Sequence, residues 1–187
     1  MDVIRAFIAV EMPTAVKQEL ARAVNELDEQ IPQGSVRWVK PELMHLTLVF
    51  LGDTAVSKLP SVTAALDEAA QTAAPFTLHL SEMGCFPNRQ RPRVIWVGLD
   101  GHTQPLLALK RAVDEALVPL GWAAEKRPFQ AHLTLGRVKD ARQLRNVNWG
   151  TKVKELAVPV TAVHLMESQL QRGGPLYTVR HSSTLAG

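Results

Sequence analysis

The stretch "HLTLVFLGD" (residues 45–53) returns 87 positions later as "HLTLGRVKD" (residues 132–140). On an extended strand, residues two apart share a face, so His45 and Thr47 project together while Leu46 and Leu48 project the other way. His132 and Thr134 repeat the arrangement. Each copy offers an imidazole and a hydroxyl on one face, anchored by two leucines behind. Ordinary composition would repeat a given His-containing tetrapeptide in about one in several hundred chains of this length, so coincidence is a poor account of the pair. The spacing is too long for a solenoid unit and fits two related lobes.

Working outward, "VIRAFIAV" (3–10) reads as a buried strand, and Pro13 opens a helix over "TAVKQELARAVNELDEQI" that Pro32 and Gly34 end. "VRWV" and "HLTLVFL" are strands separated by Lys40-Pro41, which forces extended chain. An Ala-rich helix is predicted from Leu59 to Ala74. "FTLHLSEM" and "VIWVGL" form a strand pair around an Arg-rich loop, and "TQPLLALKRAVDEALVPLG" is a helix stopped at Gly121. The second motif strand follows, then a short helix after Asp140. "ELAVPVTAVHLMESQL" and "LYTVRHSSTL" read as two strands joined across "QRGGP". The expected fold is α+β and two-lobed: two antiparallel sheets facing a central cleft, helices on the outer faces, and a pseudo-twofold internal repeat. The whole chain, 1–187, reads as one domain, with lobes near 1–90 and 91–187 and terminal strands able to cross between them.

Composition agrees with a globular protein: 187 residues, 46% apolar and 21% charged. The only cysteine, Cys85, has no partner for an internal disulfide, and no run nears the roughly 20 apolar residues that span a bilayer. The first apolar run, Ala6 to Val10, is too short for a signal peptide, so a cytoplasmic, membrane-free protein is expected. No apolar stripe marks an interface, and a monomer is expected. A net charge of +3 identifies no nucleic-acid binder by itself. Its distribution says more: Arg89, Arg91 and Arg93 crowd one loop, and Lys126, Arg127, Arg137, Lys139, Arg142 and Arg145 gather around the second motif, which points to an anionic ligand.

Two histidines flanking a groove suit a reaction that takes a proton from one oxygen and gives one to another, because imidazole titrates near neutrality. Paired threonine hydroxyls can donate to the non-bridging oxygens of a phosphate. No Gly-x-Ser-x-Gly turn supplies a nucleophile, and Cys85 belongs to no constellation, so water is the expected attacking group. Two distant histidines are too few ligands for a metal, and no cofactor is implied. Asp53 and Asp140 read as helix N-caps. His79 and His164 read as structural, His102 and His181 as loop and edge residues. Trp38, Trp96, Trp122, Trp149 and Tyr177 are expected mainly in the core, with base stacking as the alternative.

The two His-x-Thr motifs, their spacing, "RPRVIWVGL" and "GGPLYTV" together resemble the 2H phosphoesterase superfamily, and within it the RNA 2′,3′-cyclic phosphodiesterase branch, first described as bacterial 2′-5′ RNA ligase. The likeness runs from "IRAFIAVEMP" to "YTVRHS". It implies metal-free hydrolysis of RNA 2′,3′-cyclic phosphate ends, such as those of tRNA halves, to 2′-phosphomonoesters. In that scheme His45 is the proton donor to the leaving 3′-oxygen and His132 the base that activates water; the residues by themselves leave this assignment open. With a 5′-hydroxyl in place of water, the same chemistry would form a 2′-5′ linkage without ATP. Arg137 matches the family's phosphate-contacting arginine. Its odd offset from His132 would put it on the opposite strand face unless the strand bulges, which Gly136 would make cheap. The competing readings are an RNA-end binding module without catalysis and an esterase for a small cyclic nucleotide.

Overall fold

In the computed structural model, which describes residues 2–186, nine strands and three α-helices carry the chain. β1 (Val3–Glu11) leads through α1 (Thr14–Asp28) to β2 (Val36–Trp38), a 3-10 turn at Pro41–Leu43, and β3 (His45–Ala55). Then come α2 (Leu59–Gln71), β4 (Phe76–Phe86), β5 (Val94–Gly101), α3 (Thr103–Leu117) and β6 (His132–Val138). β7 (Ala157–Val160), β8 (Ala162–Gln171) and β9 (Gly174–Thr184) complete it.

The strands form two antiparallel sheets, ordered β3-β1-β8-β9 and β2-β6-β5-β4-β7. The sheets exchange elements across residue 90: β2 and β4 lie in the second sheet, β8 and β9 in the first. The stretch expected as one strand at 155–170 is two, β7 and β8, broken at Thr161 so that consecutive strands enter different sheets. Pro159 explains part of this, because a residue with no N–H is tolerated on an edge strand, and β7 is an edge.

Alternation along each strand separates two environments. On β1, Ala6, Ile8 and Val10 face the main core with Leu46 and Leu48 of β3 and Leu133 and Leu135 of β6. Val16, Leu20 and Leu27 of α1, Val62 and Leu66 of α2, and Leu106, Leu109 and Leu117 of α3 close that core from outside. One continuous apolar cluster thus serves both sheets. The intervening residues Phe7 and Ala9 turn the other way, packing with Met166 and Tyr177 on the groove side. Helix α2 is tied to the first sheet where Asp67 accepts from His181 Nε2 (2.8 Å) and Ser183 Oγ (2.6 Å). Buried Glu19 of α1 holds the 150–154 segment, accepting from the Lys154 amide at 2.9 Å and from Arg22.

Candidate active site

His45 and His132 each begin a strand, and each ring is held the same way. His45 Nδ1 donates to the Leu43 carbonyl and His132 Nδ1 to the Gln130 carbonyl, both at 2.7 Å and both two residues upstream. A carbonyl only accepts, so Nδ1 carries the proton and Nε2 of the neutral ring is left to the groove. Aromatic rings frame both. Phe7 stacks on His45 at 4.8 Å and Tyr177 meets it edge-on at 5.3 Å. Phe86 and Trp96 stand edge-on to His132 at 5.1 and 6.4 Å. Burial is the main force on His45 and lowers its pKa; the bond to Leu43 and the charge of Glu11 oppose this, and Lys17 adds to it.

Both motif strands carry a one-residue irregularity at the same place. Thr47 pairs with Ala9 and Val49 with Ile8, leaving Leu48 extra; Thr134 pairs with Trp96 and Gly136 with Ile95, leaving Leu135 extra. The second leucine of each tetrapeptide is therefore a buried bulge residue that resets the alternation. Phe50, opposite Phe7, and Arg137, opposite Val94, consequently return to the face that carries the histidine and threonine. The bulge answers the difficulty of Arg137's odd offset, and it falls at Leu135 rather than at Gly136. Gly136 has another reason to lack a side chain: a Cβ there would lie 2.6 Å from Val36 Cγ1 and 2.7 Å from Trp38 Cε3.

β3 runs close to β6 although they belong to different sheets, which brings the two motifs to one groove. Tyr177 links them. Its ring packs on His45 and Phe7, and its phenol, pushed up by burial, feels the opposing fields of Arg137 and Arg5. His45 and Thr47 share one face of β3, and His132, Thr134 and Arg137 share one face of the neighbouring β6. Burial pushes the Cys85 thiol up to about 11, so it is no thiolate near neutrality. Among the described residues no group of three or more His, Cys, Asp and Glu is placed to hold a metal ion. A cavity of about 430 Å³ opens beside Gly98 and Trp96, edged by Glu82, Asp100, Thr103 and Gln130. Its two carboxylates would repel a phosphate.

Other expectations divide. Asp140 does cap, accepting from the Arg142 amide at 3.0 Å at the start of the 3-10 turn Ala141–Leu144. Asp53 does not: β3 continues through it to Ala55, and it sits opposite Arg5. Trp38, Trp122 and Trp149 pack against the core, whereas Trp96 lies on the groove face over Gly84. Its indole N–H is buried without a partner among the described residues. His164 is half-buried on β8, bonded to Ser182 at 2.9 Å, and burial lowers its pKa. Sequence reasoning missed Phe50, an aromatic ring 74% exposed at the groove. Laying the copies in register would have found it, since Phe50 and Arg137 each follow a motif histidine by five residues.

Comparison with known proteins agrees with this geometry. The model of the family described as "LigT like Phosphoesterase" matches twice in succession, over residues 10–96 and 97–177, each match containing one motif. A Methanothermobacter thermautotrophicus protein named RNA 2′,3′-cyclic phosphodiesterase is 31% identical, covering 94% of this chain and 95% of its own. A Thermus thermophilus protein of the same name is 34% identical over 98% of this chain and 91% of its own. A crystal structure of a Thermus thermophilus protein superposes with a TM-score of 0.83 at 30% identity, covering 98% of this chain and 99% of that one. The chain, with its paired motifs on facing sheets, belongs to the LigT-like phosphoesterase family.

Proposed function

We propose that the protein hydrolyses 2′,3′-cyclic phosphates at RNA ends to 2′-phosphomonoesters without a metal. The observation that carries this reading is the matched pair of histidines, each with Nδ1 committed to a backbone carbonyl and Nε2 left to one groove, each with a threonine on the same face. The names of the relatives support the substrate.

In this scheme His132 takes a proton from water as the water oxygen attacks phosphorus. The bond from phosphorus to the 3′-oxygen breaks, and His45 supplies the proton that oxygen needs. Thr47, Thr134 and Arg137 hold the two non-bridging oxygens, where charge must be steadied in phosphoryl transfer. A bound phosphate returns to His45 the proton that burial disfavours, since an adjacent anion favours imidazolium. Phe50 offers the terminal base a stacking surface. Replacing water by a 5′-hydroxyl would give a 2′-5′ linkage with no ATP. The substrate would be an RNA end such as that of a tRNA half, met by a monomer in the cytoplasm; among the described residues no helix is long and apolar enough to cross a membrane.

The test is an oligoribonucleotide ending in a 2′,3′-cyclic phosphate, incubated in excess EDTA, with the terminal phosphate scored as 2′, 3′ or cyclic. A 2′-phosphate is expected, with the rate falling roughly 10² to 10⁴-fold in His45→Ala and in His132→Ala. An unopened ring with folded protein, or full activity in His132→Ala, would overturn the reading.

A further inference from the structure

Arg137 does not stand alone on its strand. β2 is the edge strand beside β6, and Arg37 pairs directly with Arg137 across the ladder, between Val36↔Val138 and Trp38↔Gly136. Directly paired residues project to the same side of a sheet, so Arg37 faces the groove beside Arg137. Like charges opposite one another on neighbouring strands destabilise a sheet. No acid relieves this pair: the ion pairs among the described residues engage Arg22, Lys110, Arg127, Arg142, Arg180 and His181. Both guanidiniums are exposed. Arg5 faces the same groove from the first sheet, but Asp53 stands opposite it and offsets part of its charge.

A cyclic phosphate carries one negative charge and two non-bridging oxygens. Thr47, Thr134 and Arg137 already supply donors for both, and a protonated His45 with Arg137 already exceeds the charge. A second guanidinium leaves the site overcharged unless the ligand brings another anion. An RNA end brings one at the phosphodiester on the 5′ side of its terminal nucleotide; a mononucleotide does not. We propose that Arg37 forms a second anion subsite that takes this internal phosphodiester, and so selects oligonucleotide ends over cyclic mononucleotides. The proposal rests on the function proposed above and adds to it a residue that measures chain length.

The test compares adenosine 2′,3′-cyclic phosphate with the dinucleotide ApA ending in the same ring, and with that dinucleotide carrying a neutral methylphosphonate at its internal linkage. The natural dinucleotide should lead in kcat/KM by about ten- to a hundredfold, the worth of one charge-assisted contact. The lead should shrink towards one in Arg37→Gln, with the methylphosphonate, and as salt rises, and should survive in part in Arg37→Lys. An unchanged lead in Arg37→Gln overturns the proposal. So does an equal loss on both substrates, which would assign Arg37 to the reacting phosphate. If the unmodified protein opens neither ring, the proposed function falls. The affinities of adenosine 2′-phosphate and of ApA 2′-phosphate, with and without Arg37→Gln, then decide the subsite by the same ratio.

Discussion

Phe50 and Arg137 occupy equivalent places, five residues beyond the motif histidines and just past matching bulges, yet one is an apolar ring and the other a cation. The two lobes carry the same His-x-Thr pair and differ in what surrounds it. A nucleotide is likewise asymmetric, with a flat base to stack and a phosphate to neutralise. His45 shows how setting tunes a shared residue. Burial holds its ring below the ordinary value of 6.5, so in the free protein it loses its proton as pH rises through that lowered value. If it is the donor, the alkaline limb of kcat/KM, which reports the free enzyme, should fall below pH 6.5, and NMR titration of the His45 ring should agree. Adding adenosine 2′-phosphate should move that titration upward. A ring titrating above 6.5 without ligand would contradict the role given to burial.

Among the elements, β6 shows what alternation can and cannot reveal. Its period-2 pattern makes His132 and Thr134 legible from sequence, because nothing interrupts the strand between them. The face of Arg137 was not legible, because the bulge at Leu135 involves an ordinary buried leucine with no turn residue to announce it. Gly136 suggested the irregularity for the wrong physical reason. Its φ is not positive, and it is small because Trp38, held by its indole N–H to Asp28 at 2.6 Å, lies across it. Gly136→Ala should therefore destabilise the protein by roughly 1–3 kcal/mol, as overpacking does, lowering the urea midpoint with the slope unchanged. A midpoint equal to that of the parent would mean that Trp38 moves aside freely. Arg37 was hidden for a related reason, since cross-strand neighbours are set by pairing and not by sequence distance.

Over the whole molecule, the order and type of the main elements followed from periodicity and from proline and glycine punctuation, and the α+β architecture with them. What the sequence withheld was which strand joins which sheet. Strand pairing depends on long-range packing, and the break at Thr161 that sends β7 and β8 to different sheets has no strong local marker. Because both sheets mix strands from the two halves and share one apolar cluster, residues 1–90 and 91–187 should not fold separately. Expressed alone, each should lack a cooperative thermal transition, and mixing them should restore one; independent melting of either half would show autonomous lobes. The position of β1 between β3 and β8 also bears on synthesis at the ribosome. β1 keeps one bare edge until the stretch near residue 171 has left the exit tunnel, so the nascent chain carries an open docking slot throughout the synthesis of the roughly 150 residues between β1 and β8. Only when that slot closes does the groove acquire its floor, so competence waits on the arrival of β8 and not on the motifs themselves.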